Sequence, residues 1–182
     1  YRLVKDNGGS PLEVLNAMGK DIRIGNNYFR PSPGWGGSCF PKDVKEVENS
    51  YNGQNKLPLI SKIIESNELQ MDWFSENLFK IANHQDIDSI VLIGAAFKEN
   101  TDDLRESPTL AIYDRLQNNG LNIAIFDKNI KLNSDYSFVA KLDDLKDNCL
   151  YVEMFPDVSD ERKILISKIK SLNNTFMLKM WE

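Results

Sequence analysis

Residues 89–98 read Ser89-Ile90-Val91-Leu92-Ile93-Gly94-Ala95-Ala96-Phe97-Lys98. The apolar run is short, continuous and closed by a glycine, which is how a parallel strand covered on both faces reads. Downstream, Ser107-Pro108 opens a helix that runs to about Asn119 and is stopped by Gly120, with the serine as cap and proline at the first helical position. Asn122-Ile123-Ala124-Ile125-Phe126-Asp127 is the next strand. Strand, helix and strand in that order predict a parallel pair with a right-handed crossover. Leu150 to Phe155 is a third strand, residues 160–172 a helix and Phe176 to Leu178 a last strand. The set predicts a small doubly wound sheet domain of Rossmann-like type, with its ligand at the carboxyl ends of the strands. The stretch from Gly94 to Arg105 falls there.

Upstream the period changes. From Leu57 to Ala82, Ile60, Ile63, Ile64, Leu69, Trp73, Phe74, Leu78, Phe79 and Ile81 recur mostly at steps of three and four, which predicts one long amphipathic helix. Ser10-Pro11-Leu12-Glu13 has the form of a capping box, so a short helix runs to about Met18. Residues 20–42 hold Pro31, Pro33 and four glycines and read as loop; Asp43 opens another helix, Val44 to about Tyr51, closed by Asn52-Gly53. The fold class expected is therefore α/β. A helical central segment over 1–86 contains the long linking helix, and 87–182 form the parallel-sheet domain.

The chemistry lies in the loop, at Pro33-Gly34-Trp35-Gly36-Gly37-Ser38-Cys39-Phe40-Pro41-Lys42-Asp43. Three glycines let backbone and substrate approach one thiol. A lysine nearby favours the thiolate, the nucleophilic form, and a carboxylate so close can activate water against a sulfur-bound intermediate. The other common fate of a free cysteine is a small buried hydrophobe. That is the reading of Cys149, which enters an apolar strand.

This segment resembles the active-site signature of the UDP-glucose/GDP-mannose dehydrogenase family. Gly94-Ala95-Ala96-Phe97-Lys98-Glu99-Asn100-Thr101-Asp102-Asp103-Leu104-Arg105-Glu106-Ser107-Pro108 is similar to that family's second signature, and Arg23-Ile24-Gly25 before Phe29 to a shorter element. The resemblance implies an NAD-dependent enzyme that oxidises the C6 alcohol of a nucleotide sugar to the acid through a thiohemiacetal and a thioester. It makes Cys39 the nucleophile, gives Lys42 the stabilisation of charge on the substrate oxygen, and gives Asp43 the hydrolytic water. Substrate contacts fall to Arg23, reaching a neighbouring subunit's substrate, and to Phe29, Arg30, Gly34, Trp35, Gly36 and Gly37 around the thiol. Phe97 and Lys98 would contact the nucleotide sugar, and Arg105 would lie near NAD. The long helix would also form a homodimer interface.

Ser38-Cys39-Phe40-Pro41-Lys42-Asp43 resembles the UDP-glucose and GDP-mannose branches, since N-acetylated-sugar branches carry histidine before the cysteine. UDP-glucose is the expected substrate. Arg30-Pro31 keeps GDP-mannose as an alternative, and a non-enzymatic nucleotide-sugar-binding or dimerisation module is a third. The family's GxGxxG turn is absent from these residues, so NAD would be held mainly by a preceding domain and the chain alone is expected to be inactive. The C-terminal Met177-Leu178-Lys179-Met180-Trp181-Glu182 lacks the arginine that family members place there.

Composition narrows the rest. A chain with 41% hydrophobic and 27% charged residues reads as a soluble globular protein. A net charge of -5 without a basic cluster argues against nucleic acid, and no apolar run approaches a membrane span. Two distant cysteines do not make a disulfide framework, so a reducing cytoplasm fits. His84 is the single histidine and sits at a helix end among polar residues, which excludes a Cys-His protease and leaves no metal-ligand set. Asp102 to Glu106 has too few carboxylates at calcium-loop spacing, and the stretch from Asp135 to Asp147 reads as loop and exposed helix without a site.

Overall fold

A computed structural model describes residues 1–27, 31–51, 57–87, 89–98, 101–130, 135–155 and 159–180. Helices α1 (Arg2–Asp6), α2 (Pro11–Gly19), α3 (Phe40–Ser50) and the 27-residue α4 (Pro58–His84) come first. They are followed by β1 (Ser89–Ile93), α5 (Pro108–Gln117), β2 (Asn122–Phe126), β3 (Cys149–Glu153), α6 (Asp160–Lys170) and β4 (Thr175–Lys179). The four strands make one parallel sheet in the order β2-β1-β3-β4. This is the α/β architecture read from the apolar runs.

Strand burial follows sheet position. The central strands β1 and β3 are buried nearly throughout, whereas the outer β2 and β4 are only partly covered. Alternate residues serve opposite faces. Ile90, Leu92, Leu150 and Val152 pack with Met71, Phe74, Leu78 and Ala82 of α4 and with Ile112 and Leu116 of α5. Val91, Ile93 and Tyr151 pack with Leu165 and Ile169 of α6. Helices therefore cover both sides of the sheet, and the second half of α4 is one of them. The outer edge of β2 is capped by hydrogen bonds to the 137–139 segment, Ile125 N–H to Ser137 O and Val139 N–H to Ile125 O, both 2.8 Å.

The helix starts obey local chemistry. The Ser10 side chain accepts the Glu13 N–H at 3.3 Å, Ser107 accepts that of Thr109 at 3.2 Å, and Ser159 accepts that of Arg162 at 3.2 Å. Two readings change. Helix α3 begins at Phe40, not near Asp43, because Pro41 sits in the first turn, where its missing N–H is no loss. Cys39 is thus the residue that caps the helix. The short α1 has no buried residue and no apolar period, so nothing in the sequence announced it. Asn52-Gly53, expected to close α3, lies outside the described residues. No helix among the described residues is long and apolar enough to cross a membrane.

Candidate functional site

Two loops about sixty residues apart in sequence meet. The Gly37 N–H donates to the carbonyl of Arg105 at 3.1 Å. Gly37 has φ +94°, and a Cβ there would lie 2.9 Å from the Phe97 ring; one on Gly36 would lie 1.9 Å from the Glu106 carbonyl oxygen. These glycines let the thiol loop seat against the segment that leaves β1. Part of the glycine signal is therefore loop-to-loop packing. Lys45 on α3 and Glu106 add an exposed ion pair at 3.4 Å across the same contact.

Cys39 is exposed, at the amino end of α3 where backbone N–H groups face outward. Its sulfur lies 3.6 Å from the Ser38 hydroxyl, and its carbonyl accepts the Asp43 N–H at 2.8 Å. Lys42 and Asp43 follow on the first turn, paired at 3.4 Å with both side chains in solvent. Trp35 stacks edge-on against Phe40, ring centres 4.7 Å apart. Cys149, by contrast, is buried in β3, and His84 is exposed at the end of α4.

The arginines at 23 and 105 share one construction that the sequence reading missed. Asp103 accepts from Arg105 Nε at 2.8 Å, Nη2 at 2.7 Å and the backbone N–H at 3.0 Å. Asp21 accepts from Arg23 Nε at 3.0 Å, Nη2 at 2.5 Å and the backbone N–H at 3.0 Å. An Asp-x-Arg spacing on a turn was the available signal. The arginine side-chain and backbone hydrogen bonds hold the Asp103 carboxyl down at about 2, and Asp103 in turn raises the Arg105 guanidinium through that hydrogen bond and its charge. Arg105 thus meets the thiol loop through its backbone, at Gly37. Arg23 makes no described hydrogen bond or ion pair to either loop and sits 84% exposed with its aspartate. Phe29 and Arg30 lie outside the described residues.

A cavity of about 280 Å³ opens at the carboxyl ends of β1, β2 and β3, lined among others by Gly94, Lys98, Asp127, Asn129, Phe155 and Arg162. This is where the sheet order reverses, the crevice in which open parallel sheets bind ligands. Asp127 shapes its floor by accepting the N–H groups of Ala95 and Asn129, each at 2.8 Å. Beneath it Glu153, at the end of β3, pairs with Arg162 of α6 at 2.9 Å, both almost fully buried. Lys98 links cavity and thiol loop: it lines the one, and its ammonium lies 5.2 Å from the centre of the Phe97 ring that packs on Gly37. Cys39, Lys42, Asp43, the three glycines, Trp35, Phe97, Lys98 and Arg105 are thus assembled along one path, and Arg23 is not.

The sequence model described as "UDP-glucose/GDP-mannose dehydrogenase family, central domain" matches residues 1–69, and that family's "UDP binding domain" matches residues 91–168. A UDP-glucose 6-dehydrogenase of Rickettsia conorii is 33% identical over 156 residues, covering 81% of this chain and 35% of that protein. A GDP-mannose 6-dehydrogenase of Pseudomonas putida is 33% identical over 134 residues, covering 71% and 29%. The structure of a UDP-glucose dehydrogenase from Pyrobaculum islandicum superposes with a TM-score of 0.68 at 27% identity, over 84% of this chain and 37% of that one. The chain spans about a third of the length of the curated relatives it matches. With both signatures in contact and both domain models matched, the chain belongs to the UDP-glucose/GDP-mannose dehydrogenase family.

Proposed function

We propose that this chain supplies the thiol and the nucleotide-binding sheet of an NAD-dependent UDP-glucose 6-dehydrogenase. The observation that carries the reading is the contact of the Cys39 loop with the 97–105 segment, through the Gly37–Arg105 hydrogen bond and the Phe97 ring. Through Phe97 and its neighbour Lys98, that contact supports a route from the thiol loop to the cavity at the carboxyl edge of the sheet.

In this reading the nucleotide lies along the cavity with Lys98 toward its phosphates, and the sugar C6 reaches Cys39. The Cys39 thiolate adds to the C6 aldehyde; the S–C bond forms, the carbonyl electrons move to oxygen, and Lys42 stabilises that oxygen. As hydride leaves C6, the electrons of that oxyanion re-form the C=O bond and the thiohemiacetal becomes a thioester. Water then adds at C6, Asp43 takes its proton, and the C–S bond breaks to return the thiolate and leave the acid. NAD, when bound, supplies the acceptor for the hydride in each oxidation. The residues present fit it at one point: Arg105, fixed by Asp103, 69% exposed and tied by its carbonyl to the thiol loop at Gly37, suits an anionic dinucleotide. Oriented binding of both reactants is worth roughly 7–11 kcal/mol of barrier, and the 182-residue chain alone is expected to form no NADH from UDP-glucose and NAD.

Leu59 and Leu69 of α4, 79% and 47% exposed, support a homodimer formed through this helix, which Leu59→Lys would weaken in sedimentation velocity. Arg23 would then face the partner's substrate.

Two measurements test the function. Iodoacetamide should label Cys39 well ahead of Cys149 by peptide mass spectrometry, and calorimetry should rank UDP-glucose above GDP-mannose. The reverse ranking selects the GDP-mannose reading, which the equal identity of the two kinds of relative keeps open. Nucleotide-sugar binding with an unreactive Cys39 selects the non-enzymatic module.

A further inference from the structure

We infer that Asn67 of α4 is the positioning residue that seats the catalytic thiol loop, an inference that rests on Cys39 being the nucleophile. Asn67 is 8% exposed and, with Ser75, one of two polar side chains that α4 buries among Met71, Phe74, Leu78 and Ala82. Its Oδ1 accepts the Trp35 N–H at 2.9 Å, and its Nδ2 donates to the Trp35 carbonyl at 3.0 Å. One amide thus satisfies both backbone groups of a residue 32 positions away, as a neighbouring strand would.

Other polar residues of the same helix behave differently. The Ser75 hydroxyl donates to the Met71 carbonyl at 2.9 Å, and Asn77 Nδ2 to that of Trp73 at 2.7 Å, both within α4. Asn67 spends its amide on the loop instead. The loop is shaped to receive it, for a Cβ on Gly34 would fall 3.0 Å from Asn67 Oδ1 and 3.1 Å from Met71 Cγ.

The path to the thiol is short. Trp35, held by Asn67, packs against Phe40, the residue after Cys39. On the far side Gly37 is tied to Arg105. Anchored at 35 and 37, the loop delivers Cys39 to the start of α3 with little freedom left. Without the Asn67 bonds, the Trp35 backbone would lose both partners and the thiol its fixed place at the start of α3.

The test uses Asn67→Ala and Gly34→Ala, the second pushing the same amide from the loop side, with Ile125→Val as a core control. Hydrogen exchange of peptides covering 34–40 should quicken about tenfold or more in both variants while β1 and β3 peptides keep their protection. Alkylation of Cys39 should slow about threefold or more, with Cys149 unchanged. Unchanged exchange at 34–40, a quickening shared with the sheet as in Ile125→Val, or Cys39 alkylation equal to that of the unaltered chain would overturn the inference. If the unaltered chain labels Cys149 before Cys39, the nucleophile reading itself falls, a failure distinct from that of Asn67.

Discussion

The sheet domain and the segment that carries the thiol are held by different forces. Between β1 and β4, Ile90, Leu92, Ile112, Leu116, Ile125, Leu150 and Val152 have no measurable exposure. In the first fifty residues the described helices bury almost nothing: α1 none, α2 Pro11 and Gly19, α3 Pro41 and Val44. Leu3, Val14, Met18, Ile22, Ile24, Phe40 and Val47 lie exposed there. Apolar burial holds the sheet, at roughly 25 cal/mol per Å² removed from water. The thiol loop is held by a few directed bonds and by glycines that admit close contact. Stability belongs to one region and, on the proposed function, chemistry to the other, so substitutions should divide into those that unfold the protein and those that only displace Cys39.

The sharpest way to break that division is at the foot of the cavity. Arg162→Met removes the guanidinium facing the buried Glu153 carboxylate and should cost about 3–5 kcal/mol in urea unfolding. A loss below about 1 kcal/mol would mean that the pair is wet and contributes no more than a surface bridge. Next comes Leu92→Ala, fully buried in β1, expected to cost about 2–5 kcal/mol while leaving the Cys39-to-Cys149 alkylation ratio intact below the unfolding transition. A changed ratio would show that the loop borrows its order from the core.

Gly36→Ala sharpens the contrast from the other side. Its Cβ would meet the Glu106 carbonyl oxygen, so the loop must shift, at about 1–3 kcal/mol of overpacking. Cys39 alkylation should change while β1 exchange stays slow, and equal effects at both places would erase the distinction. The smallest effect is electrostatic. Asp103 titrates at about 2 in the folded chain against ~3.9 when unfolded. A depressed carboxyl contributes stability that is present above pH ~4 and lost as pH falls toward 2. Arg105→Gln should return the Asp103 titration, followed by carboxyl NMR, toward its ordinary value. No movement would mean that Arg105 is not what holds it.

The same division governs what could be read from the residues alone. The strands, α4 and α5 were legible because their burial involves many residues at once, as a continuous apolar run at Ile90 to Ile93 and at three- and four-residue steps through Phe74 and Leu78. The thiol loop was recognisable from its motif, Cys39 through Asp43, but its supports were not. Asn67 and Trp35, or Glu153 and Arg162, are single polar partners joined across a fold, and one residue has no period. The start of α3 was misplaced because the prolines and glycines of residues 20–42 read as loop and Asp43 as the helix start, whereas Pro41 occupies the first turn.

Helix α4 has a mechanical consequence. It runs 27 residues without an interior proline or glycine, about 40 Å of unbroken backbone hydrogen bonding. Asn67 near its first third grips the thiol loop, and Phe74, Leu78 and Ala82 farther along are cemented into the sheet. No hinge separates the two grips. The proposed nucleophile and the cavity at the strand ends therefore translate and rotate as a single unit, and on the proposed function any opening that admits substrate swings about a joint elsewhere.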